Sequence, residues 1–206
     1  MMRLPVKWLA VLALCLAGGG CAHYVVAIPP PMLSADVLPA TGPSALSVGL
    51  LIDEGLRKYE AIEKRWTDKA YTFQIGEPLA KVVEDAAQAA FRRVVLVNAN
   101  QPWDALRDNR LDRLVTISLE QAVVDLQSVG MLTSQGIANV RLTLRVQVFD
   151  PSKKLLGEKV LMGEGSSRES AGLSGPGKDT FTPGVSKAVE DAGEKLLRYF
   201  ASQKSS

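Results

Sequence analysis

From Ala45 onward the apolar positions fall into blocks of two periods. Leu46, Val48, Leu50 and Ile52 alternate with Ser47, Gly49 and Leu51, which predicts a strand. Leu56 to Asp68 is dense in charge and fits an edge strand and a helical excursion equally. Tyr71-Thr72-Phe73-Gln74-Ile75 alternates and is rich in strand formers, so it predicts a second strand. Leu79, Val82, Val83, Ala86, Ala90 and Phe91 then recur at helical spacing. Pro78 suits the first turn of that helix, where its missing N–H costs nothing. Val94 to Val97 reads as a short buried strand.

The longest strand signals follow. Val115, Ile117 and Leu119 share one face, whereas Val124 and Leu126 are in the opposite phase. A bulge near Glu120-Gln121 reconciles the two. Val140, Leu142, Leu144, Val146 and Val148 alternate with polar residues, so Ala138–Phe149 is a strand with one wet face. Arg141, Thr143, Arg145 and Gln147 stand on that face. Asp150-Pro151-Ser152 turns the chain, and Leu155 to Glu164 pairs back as a hairpin. Gly163 to Pro183 is rich in Gly and Ser and reads as a mobile loop. Val185, Ala188, Val189, Ala192, Leu196 and Tyr199 form the stripe of a last helix. The pattern predicts an α+β domain over residues 45–202, with a mainly antiparallel sheet and two helices on one face.

The first residues follow a different logic. Arg3 and Lys7 give a positive start, Trp8 to Ala17 is an uncharged run, and three glycines precede Cys21. This is the order of a secretory signal over residues 1–20. The run is shorter than the roughly 20 apolar residues a membrane span needs. Removing the signal takes Arg3 and Lys7 away, so the 24 basic side chains fall to match the 22 acidic ones. A balanced chain has no bulk electrostatic pull toward nucleic acid. Its hydrophobic content of 47% is that of a globular domain.

Gly18-Gly19-Gly20-Cys21 resembles the lipobox of bacterial lipoproteins. Gly19, Gly20 and Cys21 match the pattern; Gly18 stands where Leu is usual, and Leu16 lies two places early. The resemblance implies lipid on Cys21. With Ala22 after the cysteine, it also implies an outer-membrane address facing the periplasm, with the membrane itself as one partner. The rival reading is plain secretion into the periplasm or medium, with Gly20-Cys21-Ala22 as a small-x-small cleavage site. Residues 21–44 then form a lipidated N-terminus and a tether that Pro29, Pro30, Pro31, Pro39 and Pro43 keep extended. Tyr24, Val25, Val26 and Ile28 support the alternative in equal measure, a loop packed on the domain. The element order is similar to that of the lipopolysaccharide-assembly lipoprotein and of YajG-type lipoproteins. No residue motif carries that likeness, so it assigns no functional residue.

Reactive chemistry is sparse. Cys15 lies in the signal, which leaves Cys21 alone and no internal disulfide. His23 is the only histidine and sits beside the lipid site, away from any expected pocket, which argues against a metal site, a triad or a histidine base. Gly172-Leu173-Ser174-Gly175-Pro176-Gly177-Lys178-Asp179 comes close to a P-loop, but Asp179 stands where Ser or Thr must hold magnesium. No cofactor, metal or nucleotide is therefore expected. Asp53-Glu54 is the best carboxylate pair, and reads as a strand-end cap more readily than as an acid–base pair. Arg57, Lys58, Lys64, Arg65 and Lys69 are offset by Glu60, Glu63 and Asp68. Arg141, Arg145, Arg113 and Lys159 are expected to make the uncovered sheet face cationic, with Arg141 and Arg145 as the candidates for binding a partner. The expectation is a non-catalytic lipoprotein that binds or assembles within an envelope complex, with an envelope protein as partner and homo-oligomers possible. The alternatives are an exported hydrolase using carboxylates and a ring-forming secretion-system lipoprotein.

Overall fold

Alternating residues build two sheets in a computed structural model that describes residues 22–34, 42–64, 69–129, 135–170 and 178–203. In chain order the elements are β1 (Ala22–Ala27), β2 (Ser44–Ile52), α1 (Glu54–Arg57), β3 (Glu60–Lys64), β4 (Lys69–Gln74) and α2 (Gly76–Ala90). They continue with β5 (Phe91–Leu96), α3 (Pro102–Asn109), β6 (Arg113–Val129), β7 (Gln135–Phe149), β8 (Leu155–Ser170) and α4 (Lys178–Ser202). The larger sheet has the order β5-β2-β6-β7-β8 and the smaller one β1-β4-β3. The fold is α+β, as the pattern predicts, but the sheets are mixed rather than mainly antiparallel. β2 runs parallel to both β5 and β6, and β1 runs parallel to β4. Parallel neighbours need crossover connections, which α2 and α3 supply on either side of β5. The meander β6-β7-β8 and the β3-β4 pair are antiparallel.

One face of the larger sheet is filled by α2 and α4. Val48, Leu50, Val115, Ile117, Leu142, Leu144 and Val146 are all buried there, against Val82, Val83 and Ala86 of α2 and Val185, Ala188, Val189 and Ala192 of α4. The smaller sheet turns Val26, Tyr71 and Phe73 into the same core; Tyr71 stacks on Tyr24 at 5.5 Å and meets the edge of Phe181 at 5.6 Å. The α3 helix, absent from the sequence reading, covers one end of the opposite face. There Leu106, Leu111 and Leu114 form a second cluster, and Trp103 meets Phe149 edge-on at 5.8 Å.

Several segments depart from expectation. The Pro-rich stretch does not begin as a free spacer: Ala22–Ala27 pairs residue for residue with Lys69–Gln74, Val26 and Ile28 are buried, and Leu33 packs on the core. Of the two readings of this stretch, packing holds for residues 22–28. The expected loop from Gly163 to Pro183 is strand as far as Ser170 and helix from Lys178, with residues 171–177 outside the described residues. Its small residues serve close packing. A Cβ on Gly165 would lie 2.1 Å from the Gly184 carbonyl oxygen, and one on Gly163 would lie 2.5 Å from that of Ala188. Gly163, Gly165 and Ser167 thus form the floor on which α4 lies. Residues 94–97 are no buried strand: β5 is a sheet edge with Arg92, Arg93 and Leu96 exposed. Phe91, expected on the helix, opens β5 and remains buried. Leu56–Asp68 holds both readings in turn, with α1 followed by β3. The bulge falls at Glu120, where the β6-β7 register shifts between Leu119 and Gln121.

Candidate functional site

Beyond the cover of α3, the outer face of β6-β7-β8 is open among the described residues. Register sets its side chains in rows across three strands. Val123, Arg141 and Glu164 make one row; Gln121, Thr143 and Met162 the next; then Ser118, Arg145 and Val160; then Thr116, Gln147 and Glu158. Alternation keeps the other residues of β7 buried, from Ala138 to Val148. Val123, Val160 and Met162 are exposed large hydrophobics on this face.

The structure brings Arg141 and Arg145 to the same face, as predicted, but not as free guanidinium forks. Arg141 Nε donates to Glu164 Oε1 at 3.1 Å. Arg145 pairs with Glu120, the bulged residue, and lies 3.6 Å from Glu158. Gln147 Nε2 donates to Glu158 Oε2 at 2.9 Å, which extends the ladder. The two arginine side chains remain 56% and 44% exposed, so these pairs stay in contact with solvent. The other two cations expected here lie elsewhere. Arg113 is in register with Val48, and Lys159 with Val146, and both of those valines are buried beneath the helices. A one-residue change of phase moves a side chain to the opposite face. The open face is therefore not cationic. It is a ladder of neutralised ion pairs with the exposed Val123, Val160 and Met162 between them.

Cys21 lies outside the described residues, and so does most of the P-loop-like run. His23 is no free tether residue: its Nε2 lies 2.9 Å from Thr72 Oγ1 on β4. Asp53 Oδ1 accepts from the amides of Gly55 and Leu56 at 2.8 and 3.3 Å, so it caps α1. Glu54 pairs with Lys58, which lowers its pKa from the ordinary value. Among the described residues, no cluster of His, Cys, Asp and Glu has metal-binding form, and no helix is long and apolar enough to cross a membrane.

Sequence reasoning missed a polar row on α4. Lys187, Asp191 and Lys195 recur at four-residue spacing and reach the outer edge of β8. Lys187 Nζ donates to the Ser166 carbonyl at 3.2 Å, and Lys195 Nζ donates to the Met162 carbonyl at 2.7 Å. Asp191 Oδ2 accepts from the Glu164 amide. The only sequence signal was the i, i+4, i+8 spacing, which an ordinary solvated helix face shares.

No family model and no curated protein matches the chain. Solved structures to which it is similar include protein XCC0632 from Xanthomonas campestris, 10% identical with a TM-score of 0.45, over 86% of this chain and 94% of that one. The PelC dodecamer from Paraburkholderia phytofirmans is 11% identical with a TM-score of 0.38, over 80% and 94%. A minor lipoprotein from Acinetobacter baumannii is 10% identical with a TM-score of 0.39, over 76% and 92%.

Proposed function

We propose that this protein is a lipid-anchored, non-catalytic envelope lipoprotein, held in the outer membrane through Cys21 and facing the periplasm, that binds a protein partner of an envelope complex. The observation that carries the reading is the export signal ending in Gly19-Gly20-Cys21, directly ahead of a strand that is part of the folded domain. A cysteine at that junction has no disulfide partner in the mature chain, and acylation gives it a use. Stable anchoring takes more than one acyl chain, which lipoproteins of this kind carry. The open face of β6-β7-β8 offers the partner surface, because its apolar side chains sit between ion pairs rather than under a helix.

The test is intact mass spectrometry of the protein extracted from membranes, beside Cys21→Ala. The mature chain is expected to begin at Cys21 and carry acyl mass, and the variant to remain a precursor or leave the membrane. An unmodified mature N-terminus at His23 would overturn the anchor.

A further inference from the structure

We infer that the outer side of the small β1-β4-β3 sheet lies against the bilayer, with Val25 and Ile62 in the headgroup region. The inference rests on the anchor proposed above. Ala22, the residue next to Cys21, is already the first residue of β1, and pairs with Lys69. No spacer separates lipid from sheet. Val25 is four residues beyond Cys21, which at a strand rise of about 3.3 Å places it roughly 13 Å along the chain from the lipid.

The two sides of this sheet differ. Tyr24, Val26, Tyr71, Phe73 and Ala61 share the side that feeds the core. The other side carries Val25, Thr72 and Ile62 in one row across the three strands. Val25 is 54% exposed and Ile62 59% exposed, while Thr72 between them is 4% exposed and bound by His23. Two β-branched apolar side chains thus project outward over a satisfied polar floor, within one short strand of the lipid. Such side chains gain by leaving water for the interfacial zone, which adds several ångströms of polar headgroup to each side of the hydrocarbon. With the chain held there covalently, the contact adds no translational cost.

The experiment uses the full-length lipidated protein. Once Cys21 is a thioether and Cys15 has left with the signal, the chain has no free thiol, so Ile62→Cys, Val25→Cys and Val160→Cys each introduce one labelling site. Each is labelled with an environment-sensitive fluorophore and placed in phosphatidylethanolamine–phosphatidylglycerol vesicles containing headgroup-proximal spin-labelled lipid. Labels at 62 and 25 are expected to be quenched several-fold more than one at 160, on the open face of the large sheet. Equal quenching at 62 and 160, or none at 25 and 62, overturns the orientation. Intact mass of the same samples separates the two readings: an acylated protein with unquenched labels removes the orientation and leaves the anchor, whereas an unacylated one removes both. A cooperative melt of each labelled variant shows that it is folded.

Discussion

The backbone N–H of Glu164 donates to Asp191 Oδ2 at 2.7 Å, so a side chain of α4 closes the free edge of β8. Lys195 holds that carboxylate at 2.7 Å while its own Nζ also reaches the Met162 carbonyl. An edge strand of 16 residues exposes a row of unpaired backbone groups and invites strand pairing between molecules. Here α4 side chains supply partners to three of those groups, the Glu164 amide and the Met162 and Ser166 carbonyls.

Replacing Asp191 with Ala should therefore do two things. It leaves the Glu164 amide to water and removes one of the two partners of Lys195, a loss of about 1–2 kcal/mol in urea unfolding. It also uncovers part of the edge, so light scattering should show self-association at concentrations where the wild type does not associate. Unchanged stability and unchanged mass together would show that the α4 row is incidental.

The floor under α4 gives a sharper contrast. Gly165→Ala places a Cβ against the Gly184 carbonyl and within 2.3 Å of the Ala188 nitrogen, both backbone atoms that cannot turn aside. Gly157, on the same strand, has only the Tyr199 hydroxyl at 3.6 Å. Gly165→Ala should cost on the order of 3 kcal/mol or prevent folding, because overpacking forces backbone to shift. Gly157→Ala should change stability by less than about 1 kcal/mol, and thermal unfolding of the pair reads the difference.

These glycines also show what was legible in the sequence. Periodicity located β2, β4, α2, β6, β7 and α4, and even the bulge at Glu120, because each element buries one regular face. It failed where small residues carry the packing. Gly163, Gly165 and Ser167 look like a loop since composition does not distinguish a helix seat from a flexible chain. The first strand was not read at all: with three prolines following closely, residues 22–28 read as a tether or a packed loop, although Val26 and Ile28 are buried. Arg113 and Lys159 share a charge with Arg141 and Arg145, but they differ in phase, and only strand register reveals that. The fold class was readable; the neutralisation of the open face required knowing which carboxylates stand beside each arginine across the strands.

The β7-β8 turn carries a pH dependence. Asp150 Oδ1 accepts from the Ser152 hydroxyl at 2.6 Å and from the amides of Ser152 and Lys154 at 2.8 and 3.0 Å. The Ser152 hydroxyl bond, followed by the Lys154 amide, holds this carboxyl below the ordinary aspartate range. A depressed folded-state pKa adds stability at pH above the unfolded value and loses it as pH falls through the folded one. The gap in melting temperature between wild type and Asp150→Ala should be full at neutral pH and should close below the ordinary aspartate range. A gap that persists undiminished at strongly acid pH would mean that the turn does not depend on the ionised carboxylate.

The last expectation concerns the partner. Reversing Arg141 and Arg145 to Glu would set new carboxylates against Glu164, Glu120 and Glu158, so a lost complex could reflect repulsion within the fold. Arg141→Gln with Arg145→Gln avoids that. All three pairs keep contact with solvent, and such pairs contribute at most about 1 kcal/mol each, so the melting temperature should move by only a few degrees. A partner seated on this face would desolvate the ladder, and the same two substitutions would then remove charge-assisted hydrogen bonds at the interface. Cross-linking in intact cells, followed by mass spectrometry of what co-purifies, should recover the partner with wild type and lose most of it with the double variant. Lys159→Gln, in register with a buried position of β7, is the matched control and should retain it. An unchanged partner set in the double variant would move the binding surface off this face.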